Sequence, residues 1–116
     1  MDRMYRWTRH VYDLTRRHYL LGRNRLLRQI ARRSGGHVLE IGCGTARNLC
    51  LLHETAPQHT LYGLDASRAM LSTARKSTGQ AGCATAVTLG QGLAESLDPP
   101  SQLGVDRTFD VIFFSY

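Results

Sequence analysis

The chain has 116 residues, 42% of them apolar and 21% charged, with a formal net charge of +6. That length holds one domain with one modest core, and the apolar share excludes wholesale disorder. No apolar run approaches the ~20 residues of a membrane-spanning helix, no secretory signal is expected from the arginine-rich start, and Cys43, Cys50 and Cys83 lack the spacing of a disulfide framework or a zinc site.

The charge is unevenly placed. Residues 1–33 carry ten arginines against Asp2 and Asp13, whereas residues 34–116 carry five bases and seven acids. Within the basic part, Met4, Trp7, Val11 and Leu14 recur at steps of three and four and predict a helix. Tyr5, Tyr12 and Tyr19 recur at steps of seven beside that stripe. Leu26, Leu27 and Ile30 predict a second helix, closed by Ser34-Gly35-Gly36, where glycine accepts the left-handed backbone of a helix end.

The pattern changes after His37. Val38 to Ile41 is a short β-rich run stopped by Gly42-Cys43-Gly44, and a helix over Ala46 to Thr55 follows, with Leu49, Leu52 and Cys50 toward a sheet. Thr60 to Leu64 reads as a second strand ending at Asp65. Ser67 is a candidate N-cap for a helix whose inward face is Met70, Leu71 and Ala74. Gly79 to Gly82 reads as a turn, Ala86 to Leu89 as a third strand, Asp98 to Asp106 as a loop and Phe109 to Phe114 as a fourth strand. Nearly all-apolar strands alternating with helices predict a parallel sheet covered on both faces. The fold expected is α/β, a partial Rossmann-like doubly wound parallel sheet of about four strands preceded by N-terminal helices. It divides into a basic helical segment over 1–36 and an α/β part over 37–116. The edge of a parallel sheet is normally continued or covered. With Tyr116 directly after the fourth strand, the chain is expected to be the front portion of a larger domain.

The strand–turn–helix unit from Val38 to Thr55 is the chemical centre. Gly42 and Gly44 let the backbone turn sharply and let a ligand approach closely. The helix that follows points backbone N–H groups into the same crevice. Asp65 lies 21 residues after Gly44, at the end of the next strand, where an α/β fold places the acid that holds a ribose hydroxyl pair. A dinucleotide fingerprint would read G-x-G-x-x-G, but its sixth position here is Arg47. Glu40, two residues before the first glycine, would repel a pyrophosphate and suit a cation. S-adenosylmethionine carries a sulfonium and an ammonium group and no phosphate. The five histidines show no metal-ligand spacing, so no metal is expected, and Cys43 is read as a small filler of the turn.

The run Glu40-Ile41-Gly42-Cys43-Gly44-Thr45-Ala46 resembles the first motif of the class I S-adenosylmethionine-dependent methyltransferases, E-x-G-x-G-x-G, with Ala46 replacing the third glycine. The resemblance covers residues 37–116, the cofactor half of that fold. It implies an S-adenosylmethionine-dependent enzyme with cofactor contacts at Glu40, Gly42, Cys43, Gly44, Asp65 and Ala66. It implies an adenine-side segment at Gln91-Gly92-Leu93, although the family often has an acid where Gln91 stands. Ser115 and Tyr116, at the carboxyl end of the fourth strand, are substrate-side candidates, joined by Tyr12 and Tyr19 from the first helix.

A narrower set of segments looks like the N-methyltransferase of betaine-lipid synthesis: Tyr12-Asp13-Leu14-Thr15-Arg16, Tyr19-Leu20-Leu21-Gly22-Arg23, Cys43-Gly44-Thr45-Ala46-Arg47-Asn48 and Phe114-Ser115-Tyr116. That resemblance implies a role in lipid metabolism, with a small-molecule or lipid amine as methyl acceptor. The arginines of the N-terminal segment are then expected to touch an anionic membrane peripherally from the cytoplasm. Two other readings stay open. One is a nucleic-acid binder that stacks bases on Tyr5, Trp7, Tyr12 and Tyr19, although no known RNA-binding signature appears and nucleic acid is not the expected partner. The other is an inactive fragment.

Overall fold

The computed structural model describes residues 22–106 and 108–115. The helix predicted around Met4–Leu14, with Tyr12 and Tyr19, lies outside the described residues, as does Tyr116. Helix α1 is described over residues 22–31, followed by β1 (Gly36–Ile41), α2 (Arg47–Thr55), β2 (His59–Asp65), α3 (Arg68–Gln80), β3 (Val87–Gln91), a 3-10 turn (Ala94–Ser96), α4 (Pro99–Leu103) and β4 (Val111–Phe114).

The four strands form one sheet in the order β3-β2-β1-β4, and every pairing is parallel. β1 is therefore paired on both edges, with Glu40 opposite Gly63 on one side and Phe113 on the other. The chain winds outward from β1 to β2 and β3, then returns to place β4 on the opposite edge of β1. That reversal opens a crevice beyond the carboxyl ends of β1 and β4, the place where open α/β sheets bind ligands.

Side chains alternate across β1 and divide the core in two. Val38 packs with Leu27 and Ile30 of α1, Leu49 and Leu52 of α2, Leu71 and Ala74 of α3, and Phe113. Leu39 and Ile41 pack on the other face with Tyr62, Leu64, Leu103 and Phe114. Burial of both faces explains why β1, β2 and β4 read as nearly continuous apolar runs.

Three sequence expectations need correction. Met70 does not face inward: it is 47% exposed, while Leu71 and Ala74 are buried as expected and Thr78 joins them. The Ser67 hydroxyl accepts the Met70 N–H at 3.2 Å and caps the helix as expected. The stretch Asp98–Asp106 is not all loop, because α4 forms within it. Pro99 takes the first helical position, where a missing N–H costs nothing, and Gly104 closes the helix at φ 69°. The fourth strand starts at Val111 rather than Phe109. Asp110 instead exchanges two bonds with His37, its carboxylate accepting the His37 N–H at 2.7 Å and its own N–H donating to the His37 carbonyl at 2.8 Å. Phe109 packs edge-on against Tyr62, ring centres 5.1 Å apart.

Helix α4 can lie on β3 because Gly90 has no side chain. A Cβ there would sit 2.0 Å from the Gln102 carbonyl oxygen, a backbone atom that cannot swing away. Gly90→Ala is expected to lower unfolding stability by about 1–3 kcal/mol, the usual cost of overpacking. Urea unfolding checks the value, and faster proteolysis within residues 93–106 checks that α4 is what lifts off.

Candidate functional site

The turn after β1 is tied to β2 by its backbone. The N–H groups of Gly42 and Cys43 both donate to the Leu64 carbonyl, at 2.7 and 2.9 Å. Gly42 and Gly44 take φ of 78° and 57°, in the left-handed region that glycine enters without penalty. Among the described residues nothing lies within 4 Å of where a Gly44 Cβ would point, so they leave that side of the turn open. Ala46 also sits at positive φ, 66°, although its methyl is fully buried. An L-residue there carries roughly 1–2 kcal/mol of strain. Its N–H donates to Cys43 and its carbonyl accepts the Cys50 N–H, which starts α2.

Asp65 ends β2 and braces this turn. One carboxylate oxygen accepts the Gly44 N–H at 2.8 Å and the other accepts the Ser67 N–H at 2.9 Å. A carboxylate has about four acceptor positions, so each oxygen keeps one for a hydroxyl. Asp65 is only partly buried.

Glu40 lies one strand over and is 1% exposed. Its Oε2 accepts hydrogen bonds from Asn48 Nδ2 of α2, at 2.9 Å, and from the Ser115 hydroxyl just beyond β4. Its Oε1 is buried with no hydrogen-bond partner among the described residues. Burial pushes the carboxyl up to about 7; the Ser115 and Asn48 bonds oppose that rise and the Asp65 charge adds to it. The Cys43 thiol is pushed up to about 12 by burial, with Glu40 and Asp65 adding to the effect. It stays protonated at neutral pH, in keeping with a filler and not a nucleophile.

The adenine-side candidates gather at the carboxyl ends of β2 and β3. Gln91 is the last residue of β3, opposite Asp65. Its side chain donates to the Ala66 carbonyl at 3.1 Å and accepts from Arg68 Nε at 3.2 Å. Gly92 N–H donates to the Asp65 carbonyl at 3.1 Å, and Leu93 stands 51% exposed beside it. Glu40, Gly42, Cys43, Gly44, Asp65, Ala66, Gln91, Gly92 and Leu93 thus share one rim of the sheet. Ser115 reaches the same rim from β4, but its hydrogen goes to Glu40. Tyr116, Tyr12 and Tyr19 lie outside the described residues. Asn48 and Arg68 were not among the sequence candidates. An asparagine on the inward face of an amphipathic helix was the available signal for the first. Among the described residues no cluster of three metal-ligating side chains occurs.

Comparison with known proteins adds four findings. The methyltransferase domain family matches residues 38–116. The chain is 43% identical over 51 residues to trans-aconitate 2-methyltransferase of Acidovorax sp. (strain JS42), a match covering 44% of this chain and 20% of that protein. Its fold is similar to the YcgJ protein of Bacillus subtilis, with TM-score 0.63 and 29% identity over 80% of this chain and 36% of that one. It is also similar to a SAM-dependent methyltransferase of Geobacter sulfurreducens crystallised with S-adenosyl-L-homocysteine, with TM-score 0.52 and 25% identity over 60% of this chain and 27% of that one. The aligned part is well under half the length of each of these relatives.

The Glu40 carboxyl makes a pH prediction. Unfolded, it loses its proton near 4.5; folded, it holds the proton up to about 7. The folded chain binds more protons between those values, so its stability falls as pH rises through that window. The loss is about 3 kcal/mol once pH has passed 7. Urea unfolding at pH 5 and pH 8 should show this difference, and Glu40→Gln should remove most of it.

Proposed function

The chain belongs to the methyltransferase domain family, and we propose that it is the cofactor-binding part of an S-adenosylmethionine-dependent enzyme that methylates a small-molecule or lipid amine. The observation that carries the cofactor reading is the pair of carboxylates flanking an open glycine turn at the reversal point of the sheet. Glu40 Oε1, buried without a partner, and the open side of Gly44 are what a cationic, phosphate-free ligand fits. A buried acceptor left unpaired costs ~1–3 kcal/mol, which a donor on the ligand recovers.

When bound, S-adenosylmethionine supplies a methyl on a positively charged sulfur, a good leaving group that needs no strong acid or base. The chain's residues bind and orient. Asp65, held from behind by Gly44 and Ser67, offers its two remaining acceptor positions to the ribose hydroxyls. Glu40 offers Oε1 to the ammonium group. Gln91, Gly92 and Leu93, with Ala66 behind them, border the base, and Gln91 is kept in place by Ala66 and Arg68. Alignment of acceptor, methyl and sulfur is then the main catalytic task, and positioning of this kind contributes roughly 7–11 kcal/mol in favourable cases.

The amine and lipid part of the reading rests on the resemblance to betaine-lipid N-methyltransferases and on the basic surface. Arg25 and Arg28 are exposed on the outer face of α1 and Arg32 is exposed just past its end, while Leu27 and Ile30 are buried on the inner face. No acid occurs in the sequence between Asp13 and Glu40 to offset them. We place this face against an anionic membrane, reached from the cytoplasm, where each arginine contributes about 1 kcal/mol. A small carboxylate acceptor is the second reading, favoured by the match to a trans-aconitate methyltransferase.

Calorimetric titration of S-adenosyl-L-homocysteine should give binding by the parent chain. Asp65→Ala, folded by circular dichroism, should bind at least about tenfold more weakly, since it loses charge-assisted bonds worth ~1.5–3 kcal/mol each. Sedimentation with phosphatidylserine vesicles should recover the parent in the pellet. A triple change of Arg25, Arg28 and Arg32 to glutamine should leave it in the supernatant, and equal pelleting of both proteins would sink the membrane contact.

A further inference from the structure

The cofactor reading uses Glu40 but leaves unexplained why two side chains from different elements grip the same oxygen of it. Asn48 comes from α2 and Ser115 from the end of β4, and both donate to Oε2. Oε1 receives no hydrogen bond from the described residues and is sealed from solvent. We propose that Asn48 and Ser115 are positioning residues that turn Glu40 into a proton-exchanging receptor: the empty site keeps a proton on Oε1, and entry of the cofactor's ammonium group drives that proton off.

With Oε2 already accepting two hydrogens, the proton of the neutral acid belongs on Oε1. An ionised, buried Oε1 with no donor would carry its charge in a low-dielectric core, which disfavours ionisation and agrees with a carboxyl raised to about 7 by burial. Among the described residues, the charged and titratable groups that face Glu40 do not relieve this. Asp65, from the end of β2, is negative and raises it further. Cys43, in the turn, remains a neutral thiol. Gly63 on β2 and Phe113 on β4, its partners across the sheet, carry no charge. An ammonium group at Oε1 reverses the balance, because it supplies both the opposite charge and the missing donor. Glu40 then ionises and its proton leaves to solvent. Asn48 and Ser115 hold Oε2 in both states, so the rotation of the carboxyl stays the same and only Oε1 changes partner. This rests on the cofactor reading above, and the experiment separates the two.

The Glu40 carboxyl would be followed by carbon-13 NMR in the ligand-free chain, and S-adenosyl-L-homocysteine would be titrated by calorimetry from pH 6 to pH 8 in buffers of different ionisation enthalpy. The expected results are a Glu40 midpoint near 7, affinity that rises up to about tenfold per pH unit below that midpoint, and about half a proton released per ligand at the midpoint. Ser115→Ala should move the midpoint upward and carry the binding profile with it. Ser115→Thr, which keeps the hydroxyl, should restore both. A Glu40 midpoint near 4.5 in the parent would overturn the proposal whatever the binding shows. A midpoint near 7 with pH-independent binding and no proton release would overturn it while leaving the cofactor reading intact. Absence of binding at every pH would remove the cofactor reading and the proposal together.

Discussion

β1 is hydrogen-bonded on both edges, and the rest of the molecule is arranged by that fact. A strand flanked by β2 and β4 has no exposed edge, and with helices on one face and α4 with its neighbours on the other it has no exposed face. A charged residue placed there must be buried, and Glu40 is. The same double pairing puts the reversal of strand order beside β1, so the buried acid and the ligand crevice coincide.

The two carboxylates of the site illustrate how burial divides labour between like groups. Asp65 is part-buried and each of its oxygens already accepts a backbone N–H, an arrangement that leaves one acceptor position on each. Glu40 is fully buried, grips its donors through one oxygen and leaves the other bare, an arrangement that supports a neutral acid until a cation arrives. Neutral hydroxyls suit the first and an ammonium group the second. The left-handed turn between them, with no atom of the described residues near the missing Gly44 side chain, leaves room for a ligand that spans both.

Much of this was legible in the chain order of residues. The run Val38–Ile41, the glycine turn, the helix after it and Asp65 at the end of β2 all lie within 28 residues of one another, and local chemistry is enough to place them. Glycine at Gly42 and Gly44 signals left-handed backbone, and the apolar strands signal burial on both faces. The errors were of phase and boundary. Met70 reads as inward because it is apolar, whereas the buried face of α3 is Leu71, Ala74 and Thr78. The short α4 was hidden because two adjacent prolines read as loop, and its helix depends on Gly90 giving it a place to lie.

What the sequence by itself determined was the parallel α/β class, the turn that a ligand approaches and the two acids beside it, because each of those is encoded within a few neighbouring residues. What only the tertiary structure decided was the state of Glu40. Asn48 is eight residues away from it and Ser115 is 75 away. Their convergence on one oxygen depends on β4 returning to the far edge of β1. A hydrogen-bond partner brought in by strand order has no signature in the local pattern, yet it sets which oxygen is held and which is bare.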